Sequence, residues 1–332
     1  MNDLDLRIAA GEYDTTRALF DGSVTVNGVR SVHVSTAATL PEIFQALLRG
    51  DVDVCEFGLT FYLRTLDIDA SFVAIPAFPN RVFRHSCVFV HADSGITQPS
   101  DLTGRSIGEF GIYGQDSGVW AKGILMDEYG FRPEQDRWVI GGLDHPMPPF
   151  EFTTHPHPDN VEVTAVPAGK TLSGMLETGE IDALFTANVP QPVLDGSPAI
   201  RRLFPDHEPI ERDYYRRTGI FPMMHVIAAP RDVLAANPGL DRAVYRAFLQ
   251  AKDAAAQQYC DSRRLYQVHH MLPWTNALFD RNDRLLPHDW WPYGVSANHK
   301  ALDTYLRYHH EQGLSTRRWT IEKIFAPDLL ET

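Results

Sequence analysis

Short apolar runs alternate with amphipathic segments along the first part of the chain. Apolar runs at residues 6–10, 32–34 and 52–57 have the length and composition of buried strands. Between the last two of them, Pro41 suits the first turn of a helix and Gly50 suits its C-terminal end. This repeated order of strand, helix and strand predicts an α/β fold with a largely parallel sheet.

A similar local pattern occurs twice, at points where an amphipathic helix ends and a strand begins. Residues 47–53 contain Leu-x-x-Gly-Asp-Val-Asp, and residues 176–182 contain Leu-x-x-Gly-Glu-Ile-Asp. The repetition suggests two lobes built from similar units; the alternative is chance, because this is a common sequence at the end of a helix. Further strands are predicted near residues 86–90, 105–110 and 223–229, and long helices near 119–129, 237–259 and 298–312.

This order of elements predicts two α/β lobes with two crossover strands, near residues 87–91 and 223–229. Lobe 1 would be discontinuous, with residues 1–90 and 225–332, and lobe 2 would be the continuous segment 91–224. Ligands of open α/β folds bind at strand ends and helix N-termini, so we expect a ligand cleft between the lobes.

The composition narrows the class of protein. The 332 residues include 30 Lys and Arg against 43 Asp and Glu, and this net charge of −13 argues against a general nucleic-acid binder and against docking on an anionic membrane. Cys55, Cys87 and Cys260 are widely spaced and odd in number, so neither a disulfide framework nor a cysteine zinc site is expected. The N-terminus lacks the pattern of a signal peptide and no apolar run reaches membrane-spanning length, which predicts a cytoplasmic protein.

One stretch of this acidic chain has no acidic residue. Residues 70–92 contain no Asp or Glu but include Arg81, Arg84 and His85, just before the first predicted crossover. Arginine binds a carboxylate in a bidentate geometry that lysine cannot reproduce, so this stretch is a candidate anchor for an anionic ligand. The alternative is a solvated loop whose arginines pair with remote acids.

A second cluster of aromatic and cationic residues precedes the other predicted crossover. Residues 214–222 read Tyr-Tyr-Arg-Arg-Thr-Gly-Ile-Phe-Pro and lead to His225. Aromatic rings together with the guanidinium groups of Arg216 and Arg217 suit a planar, anionic, aromatic ligand. A lone histidine on a strand is more often a structural hydrogen-bonding residue than a catalyst, and that alternative applies to His225.

Two further segments are candidate ligand sites. The glycine-rich segment 108–118 matches neither a dinucleotide fingerprint nor a phosphate loop, but it places Ser117 at a helix start, where free N–H groups can receive a carboxylate. A tight strand-to-helix turn is the alternative there. His145, His155 and His157 could hold a metal, but no companion ligand motif is present, so a surface loop is favoured and no metal is expected.

Six motifs are spread over almost the whole chain: FPNRVFRHS at 78–86, VWAKGIL at 119–125, YYRRTGIFPMMH at 214–225, Leu-Pro-Trp at 272–274, WWPYG at 290–294 and Glu-Gln-Gly-Leu at 311–314. Together they resemble the 4,5-dihydroxyphthalate decarboxylases of bacterial aromatic catabolism. The resemblance implies a type II periplasmic-binding-protein-like fold and a cofactor-independent carboxy-lyase. Its substrate would be a hydroxylated aromatic dicarboxylic acid, with 4,5-dihydroxyphthalate converted to protocatechuate. A homo-oligomeric state is left open.

The expected site takes residues from both lobes. We expect His85 and His225 to be the acid–base pair, with Glu109 as a weaker candidate base, and the order of proton transfer between the histidines is left open. Arginines would hold the carboxylates, and polar residues at strand ends or helix starts would face the cleft. These expected substrate-binding residues are Arg81, Arg84, Arg216, Arg217, Tyr13, Thr60, Ser117 and Asn188.

Fold alone does not determine the function, so two alternatives remain. One is a solute-binding receptor of an ABC transporter for an aromatic carboxylate, which the missing signal peptide disfavours. The other is a different ring-carboxylate lyase of the same fold. Residues 58–62 and the loop 143–160, which is rich in His and Pro, depart from the family pattern, and this leaves the exact substrate open.

Overall fold

Two β-sheets with surrounding helices form the computed structural model, which describes residues 3–68, 71–147, 157–266 and 271–332. The strands are β1 (Asp5–Ala9), β2 (Ser31–Ser35), β3 (Val54–Gly58), β4 (Phe72–Ile75), β5 (Val88–His91), β6 (Ser106–Phe110), β7 (Arg137–Gly141), β8 (Glu162–Ala165), β9 (Ala183–Phe185), β10 (Ile200–Arg202) and β11 (His225–Pro230). The helices are α1 (Arg17–Phe20), α2 (Leu40–Leu48), α3 (Leu59–Ile68), α4 (Asp116–Tyr129), α5 (Leu172–Glu177), α6 (Gln191–Leu194), α7 (His207–Thr218), α8 (Arg231–Ala236), α9 (Leu240–Leu265), α10 (Thr275–Asp283), α11 (His299–Glu311) and α12 (Ile321–Ile324). None of these helices is long and apolar enough to cross a membrane.

The first sheet has the strand order β2-β1-β3-β11-β4. Strand β1 runs parallel to β2 and β3, whereas β11 is antiparallel to β3 and β4. The helix expected at Pro41 is α2, which buries Ile43, Phe44 and Leu47 and leads into β3, a strand buried along its whole length. The strand–helix–strand order predicted for this part of the chain is confirmed.

The second sheet has the strand order β10-β5-β9-β6-β7-β8. Strand β6 is parallel to β7 and β9, β7 is parallel to β8, and β5 is antiparallel to β9 and β10. The chain enters this sheet at β5 and returns to the first sheet at β11, the two places where crossovers were predicted. The exact limits of the two lobes, at residues 90 and 225, stay a prediction.

Buried contacts of α4 join the two halves of the molecule. A Cβ atom at Gly123 would lie 2.1 Å from the Tyr308 ring, so this glycine allows α4 and α11 to approach closely. The fully buried Trp120 donates from Nε1 to the backbone oxygen of Met223 at 2.7 Å, just before β11. The largest apolar core cluster contains residues from both sheets. Helix α4 is therefore held between the second sheet and the C-terminal helices.

A buried ion pair lies between β6 and α4. The Lys122 ammonium group is 2.5 Å from the Glu109 carboxylate, and neither side chain has exposed surface. Lys122 also lies over the rings of Tyr113 and Trp138, at 4.0 and 4.7 Å from their centroids. Burial lowers the pKa of Lys122 and raises the pKa of Glu109, while the attraction between the two charges opposes both shifts.

Removing one member of this pair tests its contribution to stability. Lys122→Met should lower the free energy of unfolding by about 3–5 kcal/mol, because it leaves the Glu109 carboxyl group buried without its counter-charge. The double variant Lys122→Met, Glu109→Gln removes both charges and should recover a large part of that loss. Urea unfolding at pH 7, followed by circular dichroism, measures both effects. An unchanged free energy of unfolding in the single variant would contradict the buried pair.

Candidate active site

The side chains of Glu56 and His225 share one face of the first sheet, near the carboxyl ends of β1 and β3. Glu56 and Gly58 are two residues apart on β3, so they belong to the same face of the sheet. His225, the first residue of β11, is directly opposite Gly58 and projects to that face. Glu56 and His225 are both buried, so each needs a polar partner there.

The Glu56 carboxylate connects three parts of the first sheet. Its Oε2 accepts the backbone N–H of Gly11, just beyond β1, at 2.8 Å. Its Oε1 accepts the Tyr13 hydroxyl at 2.9 Å and lies 2.5 Å from Nδ1 of His225. These donors compensate for the complete burial of the carboxylate.

The His225 ring is held in one orientation with one nitrogen open. Nδ1 is bound to Glu56, and the ring meets the Phe44 ring edge to face at a centroid distance of 5.2 Å. With Nδ1–H donating to the carboxylate, Nε2 is the acceptor nitrogen of a neutral imidazole. Among the residues that the structure describes, Nε2 has no hydrogen-bond partner, and it is not sealed from solvent. A carboxylate behind an imidazole with an open nitrogen suits a general base.

Asp116, the first residue of α4, brings a second carboxyl group to the same place. Its Oδ1 accepts the backbone N–H of Thr60 at 2.7 Å and the Tyr305 hydroxyl at 2.9 Å. Its Oδ2 lies 2.6 Å from the position that a Cβ atom of Gly58 would occupy. Burial raises the pKa of Asp116, and the hydrogen bonds from Thr60 and Tyr305 oppose that shift. We call Glu56, His225 and Asp116 the carboxylate–histidine cluster.

Arg84 is a buried cation that has no ion pair with any described residue. Its Nε donates to Sδ of Met224 at 3.2 Å, and its Nη1 donates to Sγ of Cys87 at 3.4 Å. Sulfur atoms are weak acceptors, so these contacts compensate poorly for burying a guanidinium group of which only 3% is exposed. Burial raises the pKa of Asp116 and the Arg84 charge opposes that rise, which places the arginine near the carboxylate–histidine cluster. This arrangement can bind a carboxylate next to an acid–base group.

Arg81, from the same acid-free stretch, is bound to the protein itself. Its guanidinium group donates to the backbone oxygens of Phe221 at 3.0 Å and Pro292 at 2.7 Å, and to the side-chain oxygen of Asn298. Burial lowers the pKa of Arg81 to about 10. These contacts connect the segment before β11 to the C-terminal turn, so they hold the fold around the site.

Arg216 and Arg217 lie at the end of α7, on the surface. Both pair with Asp213, and Arg217 also pairs with Glu128 of α4 at 2.5 Å. About half of the Arg217 side chain, 48%, is exposed. The structure shows no contact between either arginine and the carboxylate–histidine cluster.

His85 occupies an aromatic pocket of its own. Its ring contacts those of Phe204 and Tyr214 at centroid distances of 5.4 Å. Burial lowers the pKa of His85 to about 4, which keeps the ring neutral at pH 7. No contact joins His85 to His225 in the part of the chain that the structure describes, so the structure does not bring the expected acid–base pair together.

Glu109 and Thr60 both bind the backbone of Gly114, two residues before Asp116. Glu109 is bound by Lys122 and accepts the backbone N–H of Gly114 at 2.9 Å. The Thr60 hydroxyl donates to the backbone oxygen of Gly114 at 2.8 Å, while its backbone N–H holds Asp116. Both residues are fully buried, and their hydrogen bonds are made to the protein.

The remaining expected substrate-binding residues differ in their distance from the cluster. Tyr13 contacts it directly, because its hydroxyl donates to Glu56. Ser117 directly follows Asp116 in the first turn of α4, where the expected helix start is confirmed. Asn188 is exposed in the loop after β9, and no described contact links it to the cluster.

The histidine-rich loop is only partly described. His155 lies outside the described residues, and Nδ1 of His157 is 3.0 Å from the backbone oxygen of Pro158. Within the described ranges, no group of three side chains is arranged to ligate a metal. The expectation of no metal in the complete loop stays a prediction.

Sequence reasoning missed Glu56 and Asp116. Glu56 is the one charged residue within β3, whose other residues are Val, Cys, Phe and Gly, and a carboxylate in a buried strand is itself a sign of function. Asp116 directly precedes Ser117, the residue that the sequence indicated at the helix start. Both signals were present, but neither showed which strands and helices meet.

The fold is similar to that of solved solute-binding proteins. The alkanesulfonate-binding protein SsuA from Xanthomonas axonopodis pv. citri, bound to MOPS, has a TM-score of 0.55 at 14% identity, and the match covers 98% of this chain and 99% of that chain. The periplasmic aliphatic sulphonate binding protein SsuA from Escherichia coli has a TM-score of 0.54 at 13% identity, with 99% of each chain covered. At these identities the similarity shows the fold alone, and it confirms the expected periplasmic-binding-protein-like α/β class.

Closer similarity links the chain to two named enzymes, although no protein-family model matches it. It is 34% identical to the 4,5-dihydroxyphthalate decarboxylase of Comamonas testosteroni over 335 residues, which cover 100% of this chain and 99% of that protein. It is also 34% identical to the 4,5-dihydroxyphthalate decarboxylase of Pseudomonas putida over 219 residues, or 65% of this chain and 83% of that protein. The chain therefore belongs to the 4,5-dihydroxyphthalate decarboxylase family.

Proposed function

We propose that this protein is a cofactor-independent carboxy-lyase that converts 4,5-dihydroxyphthalate to protocatechuate. The two named relatives support the reaction. The structural observation that carries the proposal is the buried Arg84 guanidinium group, which has no ion pair with a described residue and lies beside the carboxylate–histidine cluster. The reaction needs an anion-binding group and an acid–base group at one place, and these residues provide both.

Loss of CO2 from a hydroxylated aromatic acid requires three chemical events. A hydroxyl para to the departing carboxylate loses its proton and donates electron density to the ring. The ring carbon that bears the carboxylate takes up a proton, CO2 leaves, and the ring becomes aromatic again. The protein must therefore bind the other carboxylate, accept the hydroxyl proton and supply a proton to carbon.

Arg84 is the proposed anchor for the carboxylate that stays on the ring. A guanidinium group matches both oxygens of a carboxylate, and Nη2 of Arg84 makes no hydrogen bond to another described residue. Arg84 binds the carboxylate that stays on the ring and does not stabilise the departing one, so this binding does not slow the reaction. Ser117, at the start of α4, is a second proposed contact for this anion.

His225 is the proposed base for the hydroxyl. Its open Nε2 accepts the proton, and the Glu56 carboxylate at Nδ1 stabilises the imidazolium that forms. Tyr13 and the Gly11 backbone keep Glu56 in place, so they act on the base through that carboxylate. Of the two histidines expected from the sequence, His225 has a carboxylate bound to Nδ1, whereas His85 has no such partner among the described residues.

A cytoplasmic location, a place in phthalate degradation and a homo-oligomeric state stay predictions. The periplasmic-binding-protein fold also serves proteins that bind a solute without changing it. A solute-binding receptor for the same acid is therefore the alternative that the activity assay must separate from the decarboxylase.

The proposed activity is tested with 4,5-dihydroxyphthalate as the substrate. We expect one CO2 and one protocatechuate for each molecule consumed, measured by CO2 release and by the ultraviolet spectrum. Binding of the acid without CO2 release would favour the receptor. Absence of both binding and CO2 release would overturn both functions for this acid.

Substitution of Arg84 tests the anion-binding group. Arg84→Met removes the guanidinium group while retaining a long side chain, and it should raise KM about 10- to 100-fold, because charged hydrogen bonds to the carboxylate are lost. Arg217→Met is the matched control, since Arg217 is exposed and paired with acids, and its KM should stay within about twofold of the parent. Steady-state kinetics measure both. A larger effect at Arg217 than at Arg84 would contradict this placement.

Substitution of His225 and Glu56 tests the base. His225→Gln should lower kcat about 10²- to 10⁴-fold with little change in KM, the range expected for loss of general acid–base catalysis. Glu56→Gln leaves the imidazolium without its carboxylate and should also lower kcat. His85→Gln is the comparison variant, because His85 has no described contact with the cluster and its loss should affect kcat far less. Full turnover by His225→Gln would show that another group is the base.

A further inference from the structure

The proposed reaction needs a proton donor at the ring carbon as well as a base at the hydroxyl. In the carboxylate–histidine cluster, Glu56 is bound to Nδ1 of His225, which leaves the carboxyl group of Asp116 for a separate role. We propose that Asp116 donates the proton to the ring carbon that loses its carboxylate. The inference rests on the proposed function, since it assigns one step of that reaction.

Asp116 reaches the cluster because residue 58 is a glycine. A Cβ atom at Gly58 would lie only 2.6 Å from Oδ2 and equally close to Cδ2 of Phe61, so a side chain there would compete with the carboxyl group for space. Gly58 is directly opposite His225 on the neighbouring antiparallel strand, and opposed residues project to the same face of a sheet. The carboxyl group of Asp116 therefore lies beside His225, in the space that a side chain at position 58 would fill.

The two oxygens of Asp116 have different surroundings. Oδ1 accepts hydrogen bonds from the Thr60 backbone and from the Tyr305 hydroxyl. Oδ2 has no hydrogen-bond partner within the described ranges, and it is not sealed from solvent. Two donors at Oδ1 favour the acidic proton on Oδ2. The open oxygen is thus the one that can transfer a proton to a bound molecule.

Burial favours the protonated form of this carboxyl group. It raises the pKa of Asp116, while the hydrogen bonds from Thr60 and Tyr305 and the charge of Arg84 act in the opposite direction.

Base and acid come from two different elements, which suits the geometry of the reaction. His225 belongs to the first sheet, whereas Asp116 begins α4. A base that accepts a hydroxyl proton lies close to the plane of the ring. A donor to the ring carbon must approach the face of the ring, since the new bond forms perpendicular to that plane. Two elements that meet at the carboxylate–histidine cluster can supply these two directions.

Atoms and charges balance over one turnover. His225 accepts the hydroxyl proton, and Asp116 transfers its proton to the ring carbon. The electron pair of the bond between the ring and the carboxylate then returns to the ring as CO2 leaves. His225 returns its proton to the product oxygen, and Asp116 takes a proton from water. In net terms one carboxylate is replaced by one hydrogen, and one proton is consumed.

Hydrogen exchange into the product tests this role, because it follows the same proton transfer in reverse. Protocatechuate is incubated with the protein in D2O, and NMR follows the ring hydrogen ortho to the carboxylate and para to a hydroxyl. The parent protein should exchange this hydrogen. Asp116→Asn should lower the exchange rate and kcat about 100-fold or more, with KM within about threefold. Asp127→Asn is the matched control on the same helix, at a surface pair with Arg307, and should exchange like the parent.

Each outcome decides between the assignments. Exchange at the parent rate by folded Asp116→Asn would overturn the role of Asp116. If that variant does not fold, Gly58→Ala is used instead: it keeps every titratable group, its Cβ atom would lie 2.6 Å from both Oδ2 of Asp116 and Cδ2 of Phe61, and displacement of Oδ2 should also slow the exchange. Parent-rate exchange by Gly58→Ala would likewise overturn the role. A parent protein that binds 4,5-dihydroxyphthalate but releases no CO2 overturns the proposed function and, with it, this inference.

Discussion

Burial of the Glu56 carboxylate is the constraint on which the rest of the site depends. A carboxylate without exposed surface is costly unless donors surround it, and Glu56 finds them in the Gly11 backbone, the Tyr13 hydroxyl and the His225 ring. These donors come from the loop that follows β1 and from the first residue of β11. One buried carboxylate therefore holds the loop after β1 and the start of β11 together, and it sets the orientation of the His225 imidazole.

The second half of the molecule is joined to this arrangement through buried contacts. Asp116 accepts a hydrogen bond from the backbone of Thr60 at the start of α3, so α4 begins at the edge of the first sheet. Trp120, one turn along α4, is bound to the backbone just before β11. Exposed ion pairs such as that of Arg217 with Glu128 contribute little in water. The position of α4 against the first sheet is consequently set by buried contacts.

The order of the elements could be predicted from hydrophobic periodicity, because the apolar pattern of each helix or strand is contained in its own short stretch of sequence. The helix at Pro41 and the start of α4 followed from local signals of this kind. The site depends on contacts between distant residues: Glu56 and His225 are 169 positions apart, and no local pattern shows that they pair. The sequence predicts Arg217 near the ligand, because it belongs to the aromatic and cationic cluster that leads to His225. Helix α7 ends between them, however, and the arginine remains on the surface.

The charges around Arg84 fit a reaction better than the storage of an anion. A protein that only binds a dianion gains affinity from donors and cations, whereas here Glu56 and Asp116 bring two carboxyl groups to the same place. Two free carboxylates would repel a dianion, but one of them is bound to an imidazole and burial favours the protonated form of the other. In a decarboxylase, the first stabilises the imidazolium after the base has acted, and the second supplies the proton. The two carboxyl groups that would weaken a binding protein are thus the groups that the reaction requires.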